Sequence, residues 1–370
     1  MKVLHLLKHL NTGGITSYVL GLVKPLRQHD IEIQVLSSGG ECQSDFQALG
    51  VVSHQLPINI KSELSPNLYT SIPKVIRIIR ENKIDLLHAH NRPNQVLAFW
   101  VQKITGIPVV TTCHGFFKHH LGRRLLPAWG NQVIAISFGV YDHLVNDFHV
   151  PESKVLTIMN GVDIRKIDQA YEKHDPKEVR VRYGFQPQDC VIGNIARMVA
   201  DKGHEFLIQA VSLLKQKNGN IKLLIVGDGR ERAHLQQLVQ TLGLDKQVVF
   251  TGNVKDITEP LAAIDIFVFP ATWREGFGLS IIEAMICRKP VIVSNIRALN
   301  TLVKNNDTGI LIEPSNSHVL ADALNHLIKN SDLRRSIGAS GRRMAEQNFS
   351  IERMSEEMAS LYKKVLLAPV

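Results

Sequence analysis

Two glutamates, Glu275 and Glu283, lie eight positions apart in the stretch WREGFGLSIIEAM, which contains a Gly-Phe-Gly turn. Glu283 follows Ile281 and Ile282 directly, so its carboxylate lies in an apolar segment where an anion needs hydrogen-bond donors or a cation. A basic neighbour in the protein could supply them, with Glu275 as an ordinary acid at the start of a helix. A ligand rich in hydrogen-bond donors could equally do so. Both interpretations are open at this point.

The basic balance of the chain limits the ligands to consider. Its 43 Lys and Arg residues exceed its 34 Asp and Glu residues, which gives a formal net charge of +9. The positive residues are spread over both halves, and no helix carries a Lys/Arg stripe interleaved with aromatic residues, so we expect no nucleic-acid partner. The remaining uses of a basic surface are the binding of phosphorylated small molecules and contact with anionic lipid head groups.

Length and composition indicate an ordinary globular chain. Its 370 residues suffice for two domains, and 44% of them are hydrophobic. The four cysteines lie far apart, which indicates reduced thiols rather than a disulfide framework or a zinc site. The N-terminal stretch MKVLHLLKHLNTGG is too short and too interrupted for a signal peptide, and no run reaches the ~18–20 apolar residues of a membrane span. We therefore expect a cytoplasmic protein, soluble or at most peripheral on the inner face of the membrane.

Short apolar runs alternate with amphipathic stretches, twice over. The strand candidates of the first half are KVLHLL, EIQVLSS, DLLHAH, VVTTCHG, QVIAIS and VLTIMNG, and those of the second half are CVIGNIAR, KLLIVGDG, QVVFTG, IFVFP, PVIVSN and GILIEP. Nearly continuous Val, Ile and Leu favour parallel strands covered on both faces. The pattern predicts two Rossmann-like, doubly wound α/β domains, residues 1–165 and 166–350. Residues 162–188 are interpreted as a linker region, and a final helix in 351–370 is expected to cross back to the first domain.

Unusual residues follow many of these strands. They are NTGG (11–14), HAHN (88–91), CHG (113–115) and NGVD (160–163) in the first half, and ARMVADKG (196–203), VGDG (226–229), TGNV (251–254) and PATWREGFGLSIIE (270–283) in the second. Ligands of open α/β sheets bind beyond the carboxyl ends of the strands. We therefore expect the two domains to face one another across a ligand-binding cleft.

The combined pattern resembles the retaining nucleotide-sugar glycosyltransferases of family 4, which have the GT-B fold. The resemblance covers essentially the whole chain and is strongest over residues 190–295, where Glu275 and Glu283 form an E-x7-E motif within EGFGLSIIEAM, followed by KPVIVSN. It implies that Glu283 accepts hydrogen bonds from both ribose hydroxyls and that Glu275 holds hydroxyls of the transferred sugar. Main-chain contacts to the sugar are expected from Phe277, Gly278 and Leu279.

The same resemblance assigns the diphosphate to Arg197 and Lys202, which would stabilise its charge as it leaves. Ala196 stands where the family commonly has glycine, a departure that leaves both charges in place. Val254 is a candidate contact to the nucleobase. The VGDG turn is either a simple strand-to-helix turn or a direct donor contact, and it lacks the G-x-G-x-x-G pattern of dinucleotide-binding dehydrogenases.

In the first domain, Gly13 and Gly14 precede an amphipathic helix and would allow the backbone to approach the donor; a simple βα turn is the alternative. His114 matches a family histidine near the reacting sugar, where hydrogen bonding to a hydroxyl is expected before general-base catalysis. His88 and His90 have no evident third metal ligand nearby, so we interpret them as lining or packing residues. Asn160 is explained equally by hinge geometry and by substrate contact.

The expected activity is transfer of a sugar from a nucleotide-diphosphate sugar to a hydroxyl of a glycan or lipid-linked acceptor, in cell-envelope, lipopolysaccharide or other surface-polysaccharide biosynthesis. The sequence contains no Asp-x-Asp motif. The resemblance therefore implies a retaining transferase without metal or cofactor, in which Glu275, Arg197, Lys202 and His114 form the catalytic set. The alternatives are a nucleotide-sugar epimerase or hydrolase on this fold and a non-catalytic sugar-nucleotide-binding module. The sugar, the base and the acceptor remain open.

One further segment, FFKHHLGRRLLPAW (116–129), is both basic and apolar. It fits an interfacial segment at an anionic membrane surface, where a lipid-linked acceptor would be found. A packed amphipathic helix with a basic outer face is the alternative.

Overall fold

The computed structural model describes residues 1–60, 62–118, 121–215 and 220–367. The chain forms two compact units. The first comprises Met1–Gly161 together with the C-terminal segment from Ile351, and the second comprises Val162–Ser350. The boundary between the units thus lies four residues before the one predicted from the sequence, after residue 165.

The first unit alternates strands and helices up to residue 157 and regains one helix from the C-terminus. Its elements are β1 (Lys2–Leu6), α1 (Gly14–Arg27), β2 (Glu32–Ser37), α2 (Gln43–Ala48), β3 (Val52–Gln55), α3 (Pro66–Asn82), β4 (Leu86–Ala89), α4 (Arg92–Thr105), β5 (Val109–Cys113), α5 (Leu121–Leu125), β6 (Gln132–Ala135), α6 (Phe138–Asp142), β7 (Val155–Thr157) and α15 (Ile351–Leu367).

The strands of this unit form one parallel sheet in the order β3-β2-β1-β4-β5-β6-β7. One apolar layer includes side chains of α1 and α15 on one face, and another includes side chains of α3 and α4 on the other. Strands covered on both faces must be apolar on both, which explains their nearly continuous Val, Ile and Leu. β3 escapes the sequence pattern because it is a four-residue edge strand containing Ser53, His54 and Gln55.

The second unit repeats the architecture. Its elements are α7 (Ile164–Tyr171), α8 (Pro176–Arg182), β8 (Cys190–Ile195), α9 (His204–Lys215), β9 (Ile221–Val226), α10 (Arg232–Thr241), β10 (Val248–Gly252), α11 (Thr258–Ala263), β11 (Ile266–Phe269), α12 (Leu279–Ile286), β12 (Val291–Ser294), β13 (Ile310–Ile312), α13 (Ser317–Lys329) and α14 (Ser331–Asn348). The sheet order is β10-β9-β8-β11-β12-β13, again parallel. Two parallel-sheet α/β units confirm the predicted fold class.

The sheet orders define a switch point in each unit. The chain moves outward from β1 to β3 and then returns to pair β4 with β1, and likewise it returns from β10 to pair β11 with β8. The loops after these central pairs diverge, which opens a crevice at the carboxyl edge of the sheet.

The interpretation of residues 162–188 as a linker is wrong. They contain α7 and α8, which belong to the second unit. Asp168 of α7 accepts hydrogen bonds of 2.6 and 2.8 Å from the Arg342 guanidinium, and Arg180 of α8 donates to Asp265 at 2.6 Å. Ion pairs to Arg342 and Asp265 thus help to attach both helices to the second unit.

A helix that could cross a bilayer would have to be long and strongly apolar, and the described part of the chain contains none.

Candidate functional site

Lys202 and Glu275 meet beyond the carboxyl ends of β8 and β11, the two strands at the switch point of the second unit. Lys202 ends a 3-10 turn, Ala200–Lys202, and Glu275 follows β11. The Lys202 ammonium forms an ion pair with the Glu275 carboxylate, and only 12% and 11% of the two side chains are exposed. The fold thus brings together two of the residues that the sequence assigned to the donor.

The two loops are held together by the main chain. The Thr272 N–H donates to the Asp201 carbonyl at 3.0 Å. Gly203 has φ +69°, and a Cβ placed on it would lie 1.9 Å from the carbonyl oxygen of Pro270. Glycine is therefore required at this crossing, which fixes the position of the Lys202 turn against the segment that carries Glu275.

The glycine turn after Glu275 starts α12. Gly278 has φ +84°, and a Cβ there would meet side-chain atoms of Ile281 at 2.8 Å and Leu299 at 3.0 Å. The Phe277 N–H donates to Glu275 at 3.3 Å, while the Phe277 ring is buried and packs edge-on against Phe349. Phe277 can therefore offer only its main chain to a ligand, as the resemblance implies. Leu279, the first residue of α12, is half-buried.

Glu283 lies in the second half of α12, between buried apolar neighbours, and is itself half-buried. Among the residues that the structure describes, none forms a hydrogen bond or ion pair with its carboxylate. Burial raises the pKa of Glu283 to about 7. Because no described residue pairs with this carboxylate, the interpretation in which a basic neighbour does so is wrong. Its oxygens remain available to donors from a ligand.

The Arg197 side chain is exposed in the loop after β8 and makes no ion pair with a described residue. The VGDG turn packs closely under this loop. A Cβ on Gly227 would lie 2.2 Å from the carbonyl oxygen of Ala196, and one on Gly229 would lie 2.2 Å from that of Met198. Packing therefore requires glycine at both positions, because the turn lies directly against the loop that presents Arg197.

Val254 is half-buried in the loop after β10. This loop touches the VGDG turn, since the Gly227 N–H donates to the Gly252 carbonyl at 2.8 Å. The fold thus places the predicted base-contact segment near the Arg197 loop, on the same edge of the sheet.

In the first unit, Gly13 and Gly14 are exposed at the start of α1. A Cβ on either residue would meet nothing within 4 Å. The packing of the chain therefore does not require glycine here, in contrast to Gly278.

His114 follows β5 and is half-buried, with burial lowering its pKa to about 3. Its Nε2 lies 2.9 Å from Nδ1 of His90, and the Tyr18 ring packs edge-on against it at 4.8 Å between ring centroids. At neutral pH this imidazole is uncharged, so it can both donate and accept a hydrogen bond.

The expectation that no third possible metal ligand lies near His88 and His90 is wrong, because His5 joins them. His5 on β1 is the direct partner of His88 in the parallel ladder, and Nδ1 of His5 lies 2.9 Å from Nε2 of His90. Nitrogen atoms of the three rings lie within 4.8 Å of one another, and all three rings are buried. His5 is a single histidine within the apolar run KVLHLL, and nothing in that run indicates its contact with His88 and His90.

Asn160 is buried after β7, and its side-chain oxygen is buried without a hydrogen-bond partner in the described part of the chain.

The basic and apolar segment 116–129 is partly turned inward. Arg123 is buried, and its guanidinium lies over the rings of Phe117 and Trp129 at 4.0 and 4.9 Å from their centroids. Lys118, Arg124 and Leu125 are exposed, whereas residues 119 and 120 lie outside the described residues. The described part of the segment thus has a packed inner face and a basic outer one, as in the packed alternative, and contact with a membrane stays a prediction.

A cavity of about 510 Å³ opens near the carboxyl ends of β2 and β3. Its lining is Ser38, Gln55, Leu56, Pro57, Asn59 and Asn67. Hydroxyl and amide side chains of this kind both donate and accept hydrogen bonds, which suits a ligand rich in hydroxyl groups.

Family models match both units. The model of glycosyltransferase family 4 matches residues 12–166, and that of glycosyl transferases group 1 matches residues 175–344. The N-acetyl-alpha-D-glucosaminyl L-malate synthase of Bacillus anthracis is 26% identical over 366 residues, covering 96% of this chain and 94% of the relative. The UDP-Gal:alpha-D-GlcNAc-diphosphoundecaprenol alpha-1,3-galactosyltransferase of Escherichia coli is 30% identical over 269 residues, or 69% of each chain.

A solved structure shares the fold. HepE of Anabaena, in complex with UDP-glucose, superposes with a TM-score of 0.84 at 24% identity, covering 98% of this chain and 100% of HepE. The family models, the relatives and the two parallel α/β units agree, and the chain belongs to the family 4 glycosyltransferases of the GT-B fold.

Proposed function

We propose that this glycosyltransferase moves a sugar from a nucleoside-diphosphate sugar to a hydroxyl of a glycan or lipid-linked acceptor, with retention of the anomeric configuration. The observation that carries the proposal is the Glu283 carboxylate, which lies in α12 without a hydrogen-bond or ion-pair partner among the described residues. A carboxylate kept half-buried and unpaired lowers stability unless a ligand supplies donors. The two ribose hydroxyls of a nucleotide match this need.

The donor is proposed to be a UDP-sugar. The E. coli relative is named for UDP-Gal and the HepE structure contains UDP-glucose, which supports this choice of donor. Glu275 is assigned to hydroxyls of the transferred sugar and Val254 to the base. Main-chain N–H groups at the start of α12, where the helix dipole is positive, would face the diphosphate.

Charge compensation is assigned to Arg197 and Lys202. As the bond between the sugar and the diphosphate breaks, negative charge develops on the leaving phosphate, and the two cations at the carboxyl edge of the sheet stabilise it. The acceptor hydroxyl then attacks the same face of the sugar, and the leaving phosphate takes its proton. Lys202 is paired with Glu275 in the free protein, so this ion pair must break when the donor binds. Lys202 then contacts the phosphate and Glu275 contacts the sugar.

The acceptor is proposed to bind the first unit, where the amide-lined cavity provides hydrogen-bonding groups for a carbohydrate. The E. coli relative is named for a diphosphoundecaprenol acceptor, which supports a lipid-linked glycan and a role in polysaccharide biosynthesis. Contact with an anionic membrane surface through Lys118, Arg124 and Leu125 is part of the same proposal.

The deciding experiment combines UDP-glucose, UDP-galactose and UDP-N-acetylglucosamine with synthetic diphosphate-lipid-linked monosaccharides and follows UDP release and product. We expect acceptor-dependent UDP release, an anomeric centre of unchanged configuration by NMR, and full activity in EDTA. Free sugar or isomerised donor without acceptor would identify a hydrolase or epimerase. Thermal protection by the donors without turnover would identify a binding module, and an inverted product would refute retention.

A further inference from the structure

The first unit contains a continuous chain of hydrogen-bonded side chains that ends at His114. His5 and His88 are direct partners on β1 and β4, and His90 lies two residues beyond His88, so all three rings project from the same face of the sheet. Tyr362 of α15 packs on that face and is fully buried. The strands and the C-terminal helix, which are far apart in sequence, are joined by these contacts.

Five links form the chain. They are Thr112 Oγ1 to His88 Nε2 at 2.7 Å, His88 Nδ1 to Tyr362 Oη at 2.6 Å, Tyr362 Oη to His5 Nε2 at 3.4 Å, His5 Nδ1 to His90 Nε2 at 2.9 Å, and His90 Nδ1 to His114 Nε2 at 2.9 Å. Both nitrogens of His5, His88 and His90 are thus engaged. Only Nδ1 of His114 has no hydrogen-bond partner among the described residues, and the ring is partly exposed.

The four imidazoles are neutral at physiological pH. Burial lowers the pKa of His5 and of His114 to about 3, and burial together with neighbouring rings lowers the pKa of His88 and His90 well below the usual range. A neutral imidazole carries one N–H donor and one bare nitrogen acceptor. Along an unbroken chain, the orientation of any one member therefore fixes the tautomer of all the others.

The Tyr362 hydroxyl sets the direction. A neutral His88 ring can accept from only one of its two hydroxyl partners, and the phenol of Tyr362 is a stronger hydrogen-bond donor than the alcohol of Thr112, so Tyr362 donates to Nδ1 of His88 at 2.6 Å. Tyr362 must then accept from Nε2–H of His5, which leaves Nδ1 of His5 to accept from Nε2–H of His90. Nδ1 of His90 in turn accepts from Nε2–H of His114.

We propose that Tyr362, His5 and His90 are positioning residues that hold His114 as its Nε2–H tautomer, so that the bare Nδ1 nitrogen accepts a hydrogen bond from a sugar hydroxyl of a substrate. The inference rests on the proposed function for the identity of that hydroxyl. The direction of the chain is a property of the free protein. The Thr112 hydroxyl closes the far end by accepting from Nε2–H of His88.

A metal ion is the competing explanation for His5, His88 and His90, whose nitrogens lie within 4.8 Å of one another. Each ring already uses both nitrogens in hydrogen bonds, so an ion would have to displace Tyr362, Thr112 or the links between the rings. The chain of hydrogen bonds satisfies the cluster without an ion.

The test uses Tyr362→Phe, which removes the hydroxyl that sets the direction, and Tyr18→Phe as the matched control. The buried Tyr18 ring contacts His90 and His114 edge-on, and its hydroxyl faces Thr112 at the far end of the chain but bonds to none of the histidines. Two-bond ¹H–¹⁵N correlations of protein labelled at histidine, without substrate, report each tautomer. We expect His114 as the Nε2–H form in the wild type and in Tyr18→Phe, and a mixture of tautomers in Tyr362→Phe.

If the NMR spectrum of the wild type shows His114 as the Nδ1–H form, that result alone overturns the proposal. A stoichiometric metal in the purified protein, or a folded Tyr362→Phe with the wild-type tautomer, also overturns it. In turnover assays we expect Tyr362→Phe to lower kcat about tenfold with little change in the donor KM, and Tyr18→Phe to retain wild-type kcat. The NMR result tests the direction of the hydrogen-bond chain whether or not the enzyme transfers sugar. Failed transfer alone would refute only the proposed function.

Discussion

Lys202 and Glu275 are 73 residues apart in the chain and form an ion pair whose two side chains are almost entirely buried. Both are also assigned to the donor. If the pair is purely structural, replacing both residues together should restore what replacing one of them loses. If the pair also binds the donor, stability should return in the double variant but turnover should not.

Lys202→Met leaves the Glu275 carboxylate buried without its cation. We expect the free energy of unfolding to fall by about 3 kcal/mol, since breaking a buried pair strands a charge. Lys202→Met with Glu275→Gln should regain most of that stability, because the stranded charge is gone. Donor turnover should fall about 100-fold or more in both variants, since the leaving phosphate loses a cation. Urea unfolding and initial rates measure the two quantities. Recovery of turnover in the double variant would show that the pair has only a structural role.

Glu283→Gln keeps the size of the side chain and one acceptor oxygen but removes the charge. Loss of charge-assisted hydrogen bonds to the ribose should weaken donor binding about 10- to 100-fold. Stability should be unchanged or higher, since an unpaired carboxylate is removed. Isothermal titration with the nucleotide diphosphate measures the affinity, and Glu178→Gln, at an exposed position of α8, is the control. Equal affinities of wild type and Glu283→Gln would contradict the assigned contact.

The raised pKa of Glu283 gives a dependence on pH. Between the ordinary glutamate pKa of 4.5 and about 7, the folded protein binds more protons at this site than the unfolded chain does, so the free energy of unfolding decreases as pH rises through this window. Glu283→Gln should remove this contribution, on the order of 1–3 kcal/mol between pH 5 and 8. Donor affinity should increase over the same range in the wild type only, because the ionised acid is the better acceptor. Identical pH profiles of stability for the two proteins would show that Glu283 keeps an ordinary pKa.

Gly278→Ala and Gly13→Ala form a contrasting pair. Alanine at position 278 meets Ile281 and Leu299 side chains and must adopt φ near +84°, so we expect a loss of about 1–3 kcal/mol in stability. Gly13 has an extended backbone and open space around a Cβ, so alanine there should change stability by less than about 0.5 kcal/mol. If a substrate approaches this loop, Gly13→Ala still lowers kcat/KM. Thermal unfolding and steady-state kinetics separate the effects. A kcat/KM of Gly13→Ala equal to that of the wild type would assign Gly13 to an ordinary turn.

Membrane contact through the outer face of 116–129 can be measured by flotation with vesicles. We expect binding to vesicles containing anionic phospholipid, none to neutral vesicles, and a clear decrease for Arg124→Glu with Leu125→Ser, since both side chains are exposed. Arg80→Glu is the charge-matched control, at an exposed position of α3 in the same unit. Absence of the wild type from both floating fractions would remove the membrane from the proposal.

Much of the second unit could be predicted from local sequence. Each of its strands coincides with an apolar run bounded by glycine or polar residues, because a strand covered on both faces must be apolar along its length. The E-x7-E spacing, the glycine at position 278 and the loop cations are equally local features. The attachment of α7 and α8 to the second unit could not be predicted locally, because their ion-pair partners Arg342 and Asp265 lie far away in the sequence and have no signature in the helices themselves.

The sequence by itself determined the family, the parallel α/β class and the residue types of the donor site, since these depend on periodicity and on motifs within short stretches. Tertiary structure decided which groups are partners. Lys202 meets Glu275, Glu283 has no partner in the part of the chain that the structure describes, and His5 and Tyr362 join His88 and His90. The physical reason is strand order and register. The order of parallel strands is set by packing across the whole sheet, so contacts between loops and rings on different strands are fixed only when the sheet forms.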